Sequence, residues 1–187
     1  MLCSSLLPLQ GDGVRLRRLR AADAFAYVEG ARDAAVRRYG HLPESEYTLH
    51  SVREMIDRDV DPGLESGHLA VLAIADGASD AFMGSLVLFD VTERGAEVGF
   101  WVHPAHRGRG ATATALRLAA RFASGSGLRE LTARTLPENT ASQRVLETAG
   151  FGQTGVATGA TPSGQQVELL HYVRQVGNST ASREGGG

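Results

Sequence analysis

Apolar and polar positions along the chain fall into segments of two different periods. Val14 to Leu19 (VRLRRL) alternates apolar and basic residues, the period of a short, half-buried strand. The alanine-rich stretch after it reads as helix. Asp23 is placed to cap it, Phe25, Tyr27 and Val28 lie along it, and Gly30 and Gly40 divide it into two short pieces. Leu42-Pro43-Glu44-Ser45 reads as a loop. From Thr48 to about Val60, Leu49, Val52, Met55, Ile56 and Val60 share one helical face, with Arg53, Asp57 and Arg58 away from it. Asp61-Pro62-Gly63 predicts a turn or helix end.

The texture then changes to short apolar runs. His68 to Ala75, Ala81 to Phe89 and Ala96 to Val102 follow at close spacing, which predicts three strands of an antiparallel meander. Ala111 to Ala123 returns to the helical period, with Leu116, Ala119, Ala120 and Phe122 on one face. Glu130 to Thr135 reads as a strand, and Thr140 to Ala149 as a helix capped by Asn139 and stopped by Gly150. Phe151 to about Val156 and Val167 to Val173 predict two final strands. The order β-α-α-β-β-β-α-β-α-β-β is that of an α+β (mixed α/β) fold, helices packed on a largely antiparallel sheet. Residues 14–176 form one domain in this reading. Residues 1–13 are a flexible lead-in, and the polar, glycine-rich residues 177–187 a disordered tail.

Composition narrows the chemistry. A chain of 187 residues with 42% hydrophobic residues suits one domain with an ordinary core. Nineteen basic against 21 acidic residues leave a formal charge of −2, which argues against a general nucleic-acid binder. All the basic residues are arginine, so any mechanism needing a lysine amine is excluded: a pyridoxal Schiff base, a Walker A lysine, a kinase lysine. Cys3 is the sole cysteine, so neither an intrachain disulfide nor a cysteine zinc site is available. Apolar runs fall far short of the ~20 residues of a membrane span. The N-terminus lacks the basic and apolar regions of a signal peptide, so a cytoplasmic protein without membrane contact is expected.

Two segments carry candidate chemistry. In His103 to Ala115 (HPAHRGRGATATA), Gly108 and Gly110 clear the backbone between a strand and a helix, and Arg107 and Arg109 add positive charge. A helix N-terminus presents unpaired N–H groups, so this stretch could take a phosphate at Arg107–Thr112; it reads equally as a surface loop with incidental glycines. In Pro137 to Phe151 (PENTASQRVLETAGF), Asn139, Ser142 and Gly150 read, taken alone, as ordinary helix start and stop signals.

Taken together and in this order, the two segments resemble the GNAT superfamily of N-acetyltransferases. That family's pyrophosphate loop, Arg/Gln-x-x-Gly-x-Gly/Ala, is matched by Arg107-Gly108-Arg109-Gly110-Ala111-Thr112, with Thr112 where Gly or Ala is usual. The later pattern is matched by Asn139, Ser142, Val145-Leu146 and Gly150-Phe151. The strand AEVGFWVHP and the opening VRLRRLRAADAFA are similar to the branch of ribosomal-protein N-terminal acetyltransferases, the Rim type, and the likeness runs from about Val14 to Val173. It implies a twisted, mostly antiparallel sheet of about six or seven strands flanked by about four helices.

The resemblance also implies an activity, the transfer of acetyl from acetyl-CoA to a primary amine, either a protein N-terminus or a small molecule. Arg107, Gly108, Arg109, Gly110, Ala111 and Thr112 would hold the pyrophosphate. Main chain at Phe100, Trp101 and Val102 would pair with the pantetheine arm and polarise the thioester. Asn139 would bond the pantetheine or acetyl end. Glu97, which shares a strand face with Gly99 and Trp101, is the candidate base, because a protonated amine must lose a proton before it can attack. Many members of the family use a tyrosine in the helix after the asparagine as general acid; the tyrosines here are 27, 39, 47 and 172, none of them in that helix, so the resemblance leaves Ser142, water or no acid at all. Tyr39 and His41 are acceptor-site candidates by family position. A homodimer is expected by analogy alone. His103-x-x-His106 has a metal-like spacing without a partner cluster, and no metal is expected. The competing reading is a non-catalytic acyl-CoA-binding or interaction module on the same fold.

Overall fold

The computed structural model describes residues 1–40, 42–44, 46–160 and 166–177. Eight strands form one sheet: β1 (Leu9–Gly11), β2 (Val14–Arg18), β3 (Ala70–Asp76), β4 (Phe82–Phe89), β5 (Gly95–Val102), β6 (Glu130–Thr135), β7 (Gly152–Ala160) and β8 (Gln166–Gln175). Their spatial order is β1-β2-β3-β4-β5-β6-β8-β7. Every neighbouring pair is antiparallel except β5 and β6, which run parallel. The helices are α1 (Ala24–Ala31), α2 (Ala34–Tyr39), α3 (Leu49–Met55), α4 (Asp61–Ser66), α5 (Ala111–Gly125) and α6 (Thr140–Thr148). Strand alternation sends side chains to both faces of the sheet, and each face buries its own core. Leu16, Leu72, Leu86, Val98 and Leu131 pack with Leu116, Phe122 and Leu146 of α5 and α6. Ala73, Phe82 and Trp101 pack with Tyr27, Val52, Ile56 and Val60 on the other face.

Several expectations are corrected. The lead-in is part of the fold: Leu2 is buried in the core, and β1 pairs with β2 through the two-residue turn Asp12-Gly13. Both turn residues have positive φ, 47° and 72°, the conformation that Asp-Gly supplies at a tight hairpin. Asp23 does not cap α1 with its side chain. It accepts instead from the two terminal guanidinium nitrogens of Arg17, at 2.8 and 2.9 Å, in a buried ion pair. Gly30 is a packing residue rather than a break, since a Cβ there would lie 2.6 Å from the Trp101 ring. Asp33 supplies the break, capping α2 through the N–H groups of Ala35 and Val36. Leu49 points outward at the start of α3. Asp61-Pro62-Gly63 does not end the helix, because α3 continues through a π-helical turn (Ile56–Val60) into α4. That turn shifts the hydrogen-bond ladder, so Pro62 falls in the first turn of α4, where a missing N–H costs little. His41 and the tail 178–187 lie outside the described residues.

Candidate active site

The parallel pair β5/β6 is in register only over Gly95–Glu130, Ala96–Leu131 and Glu97–Thr132. Past that point β5 continues along β4 to Val102, while β6 follows β8 to Thr135. The two strands therefore part after Glu97. The edge of β5 from Val98 to Val102 faces an opening, where its free main-chain groups lack a strand partner among the described residues.

The wider mouth of this cleft is lined by Phe100, Trp101 and Val102 of β5, Arg107, Gly108 and Thr112 of the loop, and Asn139 and Ser142 of α6. Gly110 is the N-cap of α5, has φ 73°, and offers no capping side chain. The first helical bond runs from Thr114 N–H to Gly110 O, which leaves the N–H groups of residues 111–113 free for an outside acceptor. Gly108 also has positive φ, 74°, with open space around its Cα. Arg109 is exposed and has no ion-pair partner among the described residues. Ala111 turns its methyl into the core beneath the loop. Arg107 is engaged: its guanidinium donates to the Asp33 carboxylate and ties α2 to the loop. The Arg107 hydrogen bond is the main reason the Asp33 carboxyl titrates below its usual range.

At the narrow end, where the strands part, stand Glu97, Gly99, Arg134, Asn139 and Ser142. The Glu97 side chain is only 16% exposed, and its Oε1 accepts from Arg134 Nε at 2.8 Å. Asn139 Oδ1 accepts from Ser142 N–H at 3.2 Å, and Asn139 Nδ2 donates to Ser142 Oγ at 2.8 Å. With one lone pair of Oγ taken, the Ser142 hydroxyl proton is free to point into the cleft. Tyr39 lines both ends of the opening from α2. Arg38 of α2 pairs with Glu138 at 3.1 Å across its rim. Trp101 is core as well as wall, its ring lying 5.1 Å from that of Tyr27.

Residues 14–152 match the family described as Acetyltransferase (GNAT) domain, about three quarters of the chain. The chain belongs to the GNAT acetyltransferase family. Similar proteins include the probable N-acetyltransferase YjcK of Bacillus subtilis, 30% identical over 115 residues. That match covers 59% of this chain and 63% of YjcK, so the chain spans less than two thirds of that relative's length. An aminoglycoside N(6')-acetyltransferase type 1 of Salmonella typhimurium is 32% identical over 99 residues, 49% of this chain and 68% of that enzyme. Among solved structures, Mycobacterium smegmatis RimJ in complex with CoA-disulfide has the same fold, with TM-score 0.77 and 23% identity over 87% of this chain and 81% of RimJ.

Sequence reasoning overlooked Arg134, Asp33 and Arg38. Arg134 was readable in part, since Thr132 and Arg134 alternate with the buried Leu131 and Ala133 along β6. Which carboxylate it meets depends on the β5/β6 register. His103 and His106 face each other edge-on at 5.8 Å, and no group of three metal-ligating side chains occurs among the described residues. No described helix is long and apolar enough to cross a membrane.

Proposed function

We propose that this GNAT-family chain is an acetyl-CoA-dependent N-acetyltransferase acting on a primary amine. The observation that carries the reading is the parting of β5 and β6 beside an uncapped helix N-terminus, with a carboxylate where the strands separate. Free N–H groups at residues 111–113, together with Arg109, suit a pyrophosphate. Thr112 adds a hydroxyl at the cleft wall. The open edge of β5 at Phe100, Trp101 and Val102 suits an amide-bearing arm laid down as an extra strand. RimJ, whose solved structure holds a CoA-disulfide, supports the same class of ligand.

Acetyl-CoA supplies the acetyl group as a thioester. Glu97 Oε accepts a proton from the ammonium form of the acceptor, directly or through one water, which frees the nitrogen lone pair to attack the acetyl carbon. A main-chain N–H on the open edge of β5 donates to the carbonyl oxygen as negative charge develops there. Ser142, its Oγ held by Asn139, donates its proton to the departing sulfur and takes up the surplus proton of the acetylated nitrogen, so that CoA leaves as the thiol, the product is the neutral amide and the hydroxyl is restored. Arg134 fixes the rotamer of Glu97 by a charge-assisted bond.

Thiol release from acetyl-CoA, measured against a panel of primary amines, tests this reading. Turnover of at least one class is expected. Tight CoA binding with no turnover of any amine would favour the non-catalytic module instead.

A further inference from the structure

Behind the point where the strands part lies a second cavity, of about 150 Å³, on the face of the sheet that carries α1 and α3. Its floor is one cross-strand row. Val71 of β3 opposes Val87 of β4, which opposes Gly99 of β5. Met55, Val60 and Leu69 close one side, and the Tyr27 and Trp101 rings the other. Among the described residues, the only charged side chain in the lining is Asp59, half exposed at the rim and paired with Arg58 at 2.8 Å. Phe89, Gly99 and Phe100 border both this cavity and the Glu97 cleft. Gly99 has no side chain to separate the two spaces. Its Cα lies ~7 Å from that of Glu97, two residues along the same strand face.

We infer that the acceptor is a primary amine bearing a single apolar group, up to about the size of a phenyl ring, one or two carbons from the nitrogen. The inference rests on the N-acetyltransferase reading and deepens it. An amine placed at Glu97 projects its nearest substituent over Gly99 into the apolar cavity. A dry cavity of roughly 150 Å³ takes a benzene-sized group. A polyamine or an amino sugar would instead bring ammonium and hydroxyl groups in excess of what the described lining can meet, which is one already-paired carboxylate and the hydroxyls of Tyr27 and Ser85. Each group in excess would be buried without a partner. At the mouth, Arg38 is paired with Glu138 and Arg134 with Glu97, so the described lining there offers a second ammonium no unpaired carboxylate.

The test compares kcat/KM at saturating acetyl-CoA for leucinamide, phenylalaninamide and phenethylamine against glycinamide, spermidine and kanamycin. The apolar amines are expected to exceed glycinamide by at least about tenfold, the discrimination a filled hydrophobic pocket supplies. In Val87→Phe, which fills the cavity floor, the phenylalaninamide-to-glycinamide ratio should fall at least about tenfold. If that variant does not fold, the wild-type panel decides alone. Tetrapeptides beginning with Leu or Phe identify the source: turnover equal to the amides assigns a peptide N-terminus, and its loss on extension assigns a free small amine. Spermidine, kanamycin or glycinamide as the best acceptor would overturn the inference and leave the N-acetyltransferase reading standing. No turnover of any amine would overturn both.

Discussion

Gly110 shows how a single residue serves the site. A Cβ there would meet nothing within 4 Å, so the residue is not kept small by crowding in the protein alone. What requires glycine is φ 73° at the N-cap, together with the need to bring an anion against bare main chain. Gly110→Val should therefore fold with a modest loss of stability and lose CoA affinity by at least ~1.4 kcal/mol, one decade, in calorimetry. Unchanged affinity in the folded variant would remove the loop from the site. Thr112→Ala should retain affinity, since the N–H that meets the ligand is main chain. Arg134 acts on Glu97 through one charge-assisted bond. Replacing it with Gln removes the charge from that bond, so the Glu97 carboxylate should be held less firmly toward the cleft. Then kcat should fall at least about tenfold, while the KM for acetyl-CoA stays within a few-fold. An unchanged kcat would mean that Arg134 does not position the base.

Among the elements, α2 is the one held mainly by charge. It has six residues and buries only Val36. Arg107–Asp33 ties its start to the phosphate loop, and Arg38–Glu138 ties its end to the approach of α6. Asp33→Ala loses both a cap and an ion pair and should cost about 1–2 kcal/mol in urea denaturation. Asp33→Asn keeps the cap and should cost less than half of that; equal costs would mean that the cap contributes nothing. The hydrogen bond from Arg107 lowers the Asp33 carboxyl, so its contribution is present above the ordinary value near 4 and lost as pH falls through the folded one. Hydrogen exchange within residues 34–39, corrected for intrinsic rates, should show protection lost below about pH 4. Protection that persists there would show that α2 is held by packing. The long elements were legible because their periods are clean. In β5, Ala96 and Val98 alternate with Glu97, Gly99 and Trp101, and in α5 Leu116, Ala119, Ala120 and Phe122 mark a stripe. The β1–β2 hairpin was equally legible in Asp12-Gly13 and was overlooked because β1 has only three residues. The π-helical turn before Pro62 leaves no such mark, because packing of Ile56 and Val60 against the sheet decides it.

For the molecule as a whole, the site depends on two cores clasping one sheet at the place where its pairing changes direction. Neither periodicity nor composition reveals that β5 and β6 pair for three residues and then part. The family resemblance put the main chain of Phe100, Trp101 and Val102 against the pantetheine arm and Asn139 at its acetyl end, but the way the two strands separate is read from the register alone. The same long-range dependence appears in Arg17, 3% exposed and held by Asp23 and Asp80 from two different parts of the chain. Removing Asp23 leaves the buried guanidinium with one carboxylate, Asp80, and the main-chain oxygens of Arg18 and Asp80, so Asp23→Ala should destabilise the whole fold by about 3 kcal/mol. A loss below about 1 kcal/mol would show that Asp80 suffices. The central claim is that this arrangement deprotonates an amine at Glu97 and transfers acetyl to it. Comparison of kcat for Glu97→Gln and wild type between about pH 6 and 9, with CoA affinity measured alongside, tests it most directly. The variant should bind CoA as before and turn over roughly 10²–10⁴-fold more slowly near neutrality. The gap should narrow as pH rises toward the pKa of the amine, where the acceptor arrives already neutral. Equal kcat across that range would contradict the account and leave Glu97 as no more than the partner of Arg134.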